Sequence, residues 1–195
     1  MAGRHREFDE DTVLKQATEV FWTKGFESAS TEDLLDAMEI NKGSLYNAFG
    51  NKKSLFKIVV DRYASTVFEC LKKDIAHSHQ PMAVIRGFFR EACNPKDITA
   101  HMKGCFLGNA VSELASIDSE LEQQAIEKLI ELEKIFEEAL DKARELGHLF
   151  PENDPALTAR YLINIWNGIN VTRRMYPQRN ELEPLLKMSL AVLPQ

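Results

Sequence analysis

The residues that could do chemistry are concentrated in a basic stretch near the N-terminus. Residues 40–60 contain four lysines and no Asp or Glu, whereas residues 7–39 contain ten acidic residues and two lysines. The whole chain of 195 residues has a formal net charge of −6, which by itself opposes binding to a polyanion. A local cluster of ammonium groups can nevertheless contact phosphates whatever the total charge. The basic stretch therefore predicts a nucleic-acid interface.

The spacing within this stretch predicts which side chains face outward. Leu45 and Phe49 are four residues apart and would pack inward from a helix, which leaves a polar outer surface. A helix that enters the major groove must present small or polar residues at its N-terminal turn, where its dipole faces phosphate. The residues that we expect to contact DNA are Thr31, Lys42, Gly43, Ser44, Tyr46, Asn47, Lys52 and Lys53.

These residues divide by chemistry into two groups. The hydroxyl and ammonium groups expected at phosphates are those of Thr31, Tyr46, Lys52 and Lys53. The side chains expected at base edges are Lys42, Ser44 and Asn47. Each of them alone would more often be a solvated surface residue or a helix cap. Their collection in a window without acidic residues favours the DNA interpretation.

Four predicted helices position these residues. Apolar periodicity and capping residues predict helices over residues 11–24, 31–38, 42–49 and 52–76. The expected N-caps of the last three are Ser30, Asn41 and Asn51, and Gly25 is the expected C-cap of the first. A short helix, a tight turn and a second short helix, with a helix on either side, form the helix-turn-helix arrangement.

The remainder of the chain is also predicted to be helical. Prolines and apolar spacing predict helices over residues 82–92, 102–115, 118–146, 155–175 and 180–193. The alternating pattern of β-strands is missing from the sequence. The sequence therefore predicts an all-α fold whose two parts share one continuous core through the connecting helix.

The stretch over residues 31–56 resembles the N-terminal signature of the TetR family of transcriptional repressors. The positions that match without a gap are Thr31, Leu35, Asn41 in the place of Ser, Gly43, Leu45, Tyr46, Phe49, Lys52 and Leu55. Two positions depart from the family pattern. Met38-Glu39 replaces Ala-Gly, which would place a non-Gly residue at a left-handed turn and an acid near DNA. Asn47 replaces His or Tyr and cannot stack as an aromatic ring would.

The resemblance implies a cytoplasmic one-component regulator and not an enzyme. It would repress transcription by binding a palindromic operator in double-stranded DNA as a homodimer, and a small-molecule effector would release it. Two half-sites about 34 Å apart supply the specificity that a single helix-turn-helix lacks. The implied domains are residues 1–51 for DNA binding and 52–195 for effector binding and dimerisation, joined through helix 52–76. The residues expected at the dimer interface are Ile165, Ile169, Leu182, Leu186 and Leu190.

An apolar effector pocket is expected in the second part, because aromatic residues and amides are distributed over several of its helices. The residues expected to line it are Phe88, Phe89, Met102, Cys105, Phe106, Asn109, Phe136, Trp166 and Asn170. Cys105 also suggests an alternative. A thiol near a helix N-terminus with a lysine beside it would have a lowered pKa and could sense oxidants or electrophiles. Some members of the family sense reactive species through a cysteine at this place.

Other functional classes have less support from the sequence. No nucleotide-binding, hydrolase or metalloprotease motif occurs in the sequence, so an enzyme has the least support. A helical adaptor that does not bind DNA is a further alternative to the regulator. We expect no metal and no cofactor, since His101 and Cys105 at a spacing of four supply only two ligands. No apolar run is long enough to cross a membrane, and we expect no secretory signal because no apolar segment follows the basic residues at the N-terminus. The three cysteines lack CxxC spacing and are expected to be thiols.

Overall fold

The computed structural model describes residues 8–93, 98–176 and 178–194, and within these ranges the chain forms helices and no strand. This confirms the all-α prediction. A short 3-10 helix, Leu190–Val192, follows the last α-helix. The α-helices are α1 (Glu10–Lys24), α2 (Thr31–Met38), α3 (Lys42–Phe49), α4 (Lys52–His77), α5 (Pro81–Ala92), α6 (Ile98–Met102), α7 (Phe106–Leu114), α8 (Ser119–Glu145), α9 (Pro155–Met175) and α10 (Arg179–Ser189).

Local capping chemistry sets the bounds of the N-terminal helices. Ser30 accepts a hydrogen bond from the Asp33 N–H at 3.0 Å, and the Asp33 carboxylate accepts one from the Ser30 N–H, which forms a capping box. Asn41 Oδ1 accepts the Ser44 N–H and caps α3, and Asn51 Oδ1 accepts the Ser54 N–H and caps α4, each at an N···O distance of 2.9 Å. The N-caps predicted for α2, α3 and α4 are therefore confirmed.

The turn between α2 and α3 requires a left-handed residue. Glu39 ends α2 with φ 52° and ψ 38°, and it is the one non-Gly residue with positive φ in the described part of the chain. The Ile40 N–H donates to the Leu35 carbonyl at 3.3 Å and closes the turn. The expectation of a non-Gly residue in this strained conformation is confirmed.

The centre of the molecule is α8, which packs against α4, α5, α7 and α9. Buried apolar residues from both parts of the chain form one cluster, which α4 extends from the helix-turn-helix into the larger part. Two groups of aromatic rings fill it. One joins α1, α4 and α7 through Phe21, Phe56 and Phe106, and the other lies between α5, α8 and α9.

The helix predicted over residues 102–115 is wrong, because the chain turns sharply within it. Gly104 has φ +78° and separates α6 from α7, whose N-cap is Cys105. A Cβ atom at Gly104 would lie 2.8 Å from an Arg174 nitrogen, so α9 packs directly on this turn. His101 and Cys105 consequently lie on different helices and do not share a helix face. No helix in the described residues is long and apolar enough to span a membrane.

Candidate nucleic-acid interface and adjoining cleft

The outer face of α3 is polar and its inner face is anchored in the core. Leu45 and Phe49 are 1% and 4% exposed, whereas Lys42, Tyr46 and Asn47 are exposed. Gly43 is also exposed, and Ser44 is half-buried with its N–H bound to the Asn41 cap. Two apolar anchors therefore turn the expected base-reading side chains outward from a rigid short helix.

The start of α2 is half-buried and surrounded by its own capping groups. Thr31 is the first residue of α2 and is partly accessible. Asp33, in the same turn, accepts hydrogen bonds from Lys24 and from Ser30, and these bonds lower the pKa of its carboxyl to about 2. The Asp33 carboxylate is therefore charged and already paired within the protein.

Lys52 and Lys53 point toward the protein rather than away from it. The Lys52 ammonium donates to the carbonyls of Glu27 and Ala29 at 3.3 and 3.0 Å and lies 4.6 Å from the centre of the Phe26 ring. Lys53 forms ion pairs of 2.7 and 2.8 Å with two acids at the start of α8, Asp118 and Glu120. A phosphate contact by either lysine would require it to exchange these partners.

A single carboxylate of α7 accepts two backbone N–H groups of the loop between α1 and α2. Glu113 accepts the backbone N–H of Phe26 at 3.0 Å and that of Glu27 at 2.9 Å. A Cβ atom at Gly25 would lie 2.6 Å from a carboxylate oxygen, so only glycine allows this approach. The contact links the helix-turn-helix to the larger part across more than eighty residues of sequence.

A cleft of about 770 Å³ opens beside this contact, between α1, α7 and α9. We call it the α1–α7–α9 cleft. Its apolar wall includes Phe21, Trp22, Phe56, Cys105, Phe106, Val111 and Val171. Its polar wall includes Thr23, Lys24, Ser28, Asn109, Ser112, Glu113, Asn167, Asn170 and Arg174. Residues of the α1–α2 loop and of the larger part thus border the same space.

The structure separates the nine residues predicted to line an effector pocket. Those that line the α1–α7–α9 cleft are Cys105, Phe106, Asn109 and Asn170. Phe88 borders a different and more open groove between α4 and α5. Phe89, Phe136 and Trp166 pack with Phe88 in an aromatic cluster, where Phe89 and Phe136 are fully buried. Met102 is 37% exposed at the end of α6.

The prediction of a lowered pKa for Cys105 is wrong. Its side chain is 5% exposed, and burial raises the pKa of the thiol because the thiolate would be desolvated. The Gly108 N–H donates to the sulfur at 3.5 Å and lowers the pKa of the thiol, but by less than burial raises it. Burial likewise raises the pKa of Cys93 to about 11, while Cys70 is exposed on α4.

The residues predicted for the dimer interface lie in the core of the single chain. The five residues are all buried, from 0% to 8% exposed, and they are Ile165, Ile169, Leu182, Leu186 and Leu190. Within the single chain they fill the space between α9, α10 and their neighbours and leave little surface for a partner. The apolar side chains that α9, α10 and the following 3-10 helix expose instead are Leu157, Tyr161, Val171, Met175, Met188 and Val192.

Arg174, which no pattern in the sequence points to, holds the turn between α6 and α7. Its guanidinium donates to the carbonyls of Met102 and Lys103 at 3.1 and 2.5 Å, and to Asn109 Oδ1 at 2.7 Å. It therefore fixes the turn that places Cys105 at the cleft. Neither Arg174 nor Glu113 has a local sequence signal, because both act on backbone groups more than sixty residues away.

Comparisons with known proteins agree with this architecture. The family model for bacterial regulatory proteins of the tetR family matches residues 13–59, and the model described as Tetracyclin repressor-like, C-terminal domain matches residues 81–188. The HTH-type transcriptional regulator YezE of Bacillus subtilis is 30% identical over 98% of this chain and 99% of its own. The repressor ComR of Escherichia coli is 25% identical over 99% of this chain and 92% of its own.

Solved structures extend the likeness to the whole fold. A cysteine mutant of the TetR family regulator CifR, complexed with a 26-bp double-strand operator DNA, matches with a TM-score of 0.80 at 25% identity. The match covers 98% of this chain and 100% of that one. The reduced form of Escherichia coli NemR matches with a TM-score of 0.82 at 18% identity, over 95% of this chain and 97% of its own. With both family models matched in order along the sequence, the chain belongs to the TetR family and is a DNA-binding transcriptional regulator.

Proposed function

We propose that this protein is a dimeric one-component repressor that binds a palindromic operator through α2 and α3 and releases it when a small molecule occupies the α1–α7–α9 cleft. The observation that carries the proposal is the exposed polar face of α3, with Lys42, Tyr46 and Asn47 directed outward by buried Leu45 and Phe49. The similarity to the repressor ComR supports repression as the direction of control.

Dimerisation is supported by an exposed stripe on the last two helices. On α9 the stripe runs at alternating steps of four and three residues through Leu157, Tyr161, Asn164, Gly168, Val171 and Met175. On α10 and the following turn, Met188 and Val192 are 71% and 36% exposed. Leu157, Tyr161, Val171 and Met175 are the apolar members of this stripe on α9. Apolar side chains on one helix face are typical of helix bundles, and their exposure to solvent is unfavourable. A second copy of the chain would cover them and set the spacing of two α3 helices.

The effector role of the cleft is supported by the elements that border it. Glu113 and the α1–α2 loop form part of its wall, so a ligand there would touch the contact that orients the helix-turn-helix. A molecule that binds one orientation more tightly shifts the population toward it. Operator release follows when the favoured orientation misplaces the two α3 helices.

The test is a comparison of operator and random duplexes. An operator is selected from a random library with the purified protein, and binding is measured by fluorescence polarisation. Lys42→Ala and Asn47→Ala are expected to lose roughly 1–3 kcal/mol of discrimination for each lost base contact. Lys134→Ala, an exposed lysine on α8, is the matched control and should bind as the unmodified chain does. Equal losses on operator and random DNA would remove both residues from base recognition.

A second candidate is thiol sensing through Cys105. It is supported by the position of the sulfur in the wall of the cleft, at the N-cap of α7. The buried thiol is protonated at neutral pH, so an electrophile would have to enter the cleft before reacting. Loss of operator binding on treatment with N-ethylmaleimide should disappear in Cys105→Ser and persist in Cys70→Ser. Release that survives Cys105→Ser would rule this candidate out.

A further inference from the structure

Three of the four lysines in residues 40–60 already have partners inside the protein. The Lys52 ammonium lies on two backbone carbonyls, and Lys53 and Lys57 form ion pairs with acids at the start of α8. Among the described residues, Lys42 alone of the four has no carbonyl or carboxylate partner. Most of the positive charge that the sequence places near DNA is therefore engaged within the protein.

Two acids of α8 hold Lys53 and Lys57 together. The Lys53 Nζ lies 2.7 Å from Asp118 Oδ2 and 2.8 Å from Glu120 Oε2. The other oxygen of Glu120 pairs with Lys57, which lies one helical turn farther along α4. Hydrogen bonds between these groups raise the pKa of Lys53 and lower the pKa values of Asp118 and Glu120. Lys53 and both acids are therefore charged at neutral pH.

The paired lysines lie at the end of α4 that adjoins the proposed base-reading helix. Only Gly50 and Asn51 separate Lys52, the first residue of α4, from the end of α3. The first turn of α4 has no acid, although the N-terminus of a helix is stabilised by a nearby negative charge. Side chains tilt toward the N-terminus of a helix, so Lys57 leans toward the same end. This end of α4 therefore favours an anion, and the acids of α8 supply it in the free protein.

The ion pairs are accessible enough to exchange. The side chains of Lys53 and Lys57 are 37% and 35% exposed, and that of Glu120 is 59% exposed. Exposed ion pairs contribute little to stability, whereas a lysine that neutralises a DNA phosphate releases a counterion. Asp118 would stay in place without a lysine, because it also caps α8 through the N–H groups of Glu120 and Leu121.

We propose that operator phosphates take Lys53 and Lys57 from Asp118 and Glu120 when the protein binds DNA, so that the start of α8 is a built-in competitor for the operator. The exchange adds Lys57 to the residues that contact phosphate. It weakens binding to every duplex by the same factor, because phosphate contacts carry no sequence information. The inference rests on the proposed docking of α2 and α3 and adds a means of setting the affinity at that same interface.

Chemical labelling of the full-length protein, with and without its selected operator duplex, tests the exchange. Lysines are acetylated, carboxylates are coupled to glycine ethyl ester with a carbodiimide, and mass spectrometry reads each residue. DNA should slow the acetylation of Lys53 and Lys57 and speed the coupling of Glu120, each about threefold or more, because phosphate replaces the carboxylate.

The internal control is the ion pair between Lys72 and Glu131, at 3.0 Å farther along the same two helices. DNA should leave the labelling of both residues unchanged. Coupling of Glu120 that DNA leaves unchanged or slows would overturn the inference, because the carboxylate would then have kept its lysines.

A pair of variants measures the competition. Asp118→Asn/Glu120→Gln removes both carboxylates and keeps a good N-cap on α8. We expect its affinity for operator and random duplexes to rise by the same factor, about three- to tenfold at low salt. No gain, or a gain confined to the operator, would contradict the exchange.

The matched control is Asp61→Asn/Glu131→Gln, which removes two acids from other ion pairs between α4 and α8. Asp61 lies roughly 14 Å along the helix axis from the start of α4, which is more than a Debye length of about 10 Å. This variant has the same net charge as Asp118→Asn/Glu120→Gln and should bind DNA as the unmodified chain does. An equal gain in both variants would assign the effect to net charge and overturn the inference.

Lys42→Ala and Asn47→Ala, measured with the same duplexes, separate this inference from the proposed function. If both lose discrimination while DNA leaves the coupling of Glu120 unchanged, α3 reads bases and the exchange is contradicted. If DNA speeds the coupling of Glu120 while both variants retain full discrimination, the exchange is supported and the proposed role of α3 fails.

Discussion

Lys52 begins α4 with its ammonium group on the backbone of the α1–α2 loop. The sequence pattern predicted a phosphate contact, but the structure gives this group two carbonyl acceptors and an aromatic ring. Lys42, by contrast, lies on the exposed face of α3. Two lysines in one basic stretch thus differ in their surroundings, because a side chain at a helix start reaches whatever tertiary neighbour lies within its length.

Lys52→Met tests this difference, since methionine keeps the aliphatic stem on the Phe26 ring and removes the charge. We expect the free energy of unfolding to fall by about 1 kcal/mol, because the Glu27 and Ala29 carbonyls lose a charged donor. The salt dependence of DNA binding should stay unchanged, because an ammonium group that remains on these two carbonyls neutralises no phosphate. Urea unfolding and salt titrations measure both quantities. A flatter slope in Lys52→Met would restore the phosphate role.

Among the elements, α2 and α3 depend on their caps and on the turn between them. Ser30 and Asn41 satisfy the first N–H groups of each helix through local hydrogen bonds. The turn places Glu39 in the left-handed region, which costs a residue with a Cβ atom about 1 kcal/mol. The helix-turn-helix therefore carries strain at the position where it turns α3 outward.

Replacing Glu39 with glycine should relieve this strain and raise the free energy of unfolding by up to about 1 kcal/mol. Glu39→Ala removes the same charge and keeps the Cβ atom, so it should give no such gain. Both variants should bind DNA more tightly at low salt, because each removes an exposed acid near α3. Urea denaturation compares the two, and equal stabilisation by Gly and Ala would show that charge rather than backbone strain is responsible.

For the whole molecule, the proposed function depends on two long-range arrangements. The exposed apolar stripe of α9 and α10 offers a surface for a second copy, and Glu113 connects the cleft to the α1–α2 loop. The stripe would set the distance between the two α3 helices of a dimer. The Glu113 contact would set their orientation. Neither lies within a single helix, so both depend on how α7, α9 and α10 pack.

A charge in the exposed stripe should dissociate the dimer. Met188→Glu places a carboxylate at a side chain that is 71% exposed in one chain, so the monomer should fold normally. We expect sedimentation to show monomers at micromolar concentration and the affinity for a palindromic operator to fall at least tenfold. Lys134→Gln on α8 lowers the net charge by the same one unit and serves as the matched control. A Met188→Glu protein that remains dimeric would place the interface elsewhere.

Removing one acceptor from Glu113 should loosen the α1–α2 loop. Glu113→Gln keeps the shape but directs an amide N–H toward the backbone N–H of Phe26 or Glu27, which leaves one donor unpaired. Hydrogen exchange of these two amides should accelerate about tenfold, with little change in the α8 and α9 cores. Glu138→Gln, an exposed residue of α8, is the control. Unaltered exchange at both amides would show that other contacts hold the loop.

The sequence by itself determined α2, α3 and α4 and their caps. Ser30, Asn41 and Asn51 act on N–H groups three residues away, and the spacing of Leu45 and Phe49 fixes one face of α3. These interactions lie within one or two helical turns, so their energetics can be worked out from residue type and spacing alone.

Only the tertiary structure decided which side chains are available for function. Burial raised the pKa of Cys105, and Gly104 broke a predicted helix because Arg174 of α9 packs on that turn. The same packing enclosed Ile165 and Leu182, which have the same apolar character as the residues left exposed. Apolar residue type predicts that a side chain will leave water, but whether its neighbour is the same chain or a second copy depends on the relative placement of whole helices.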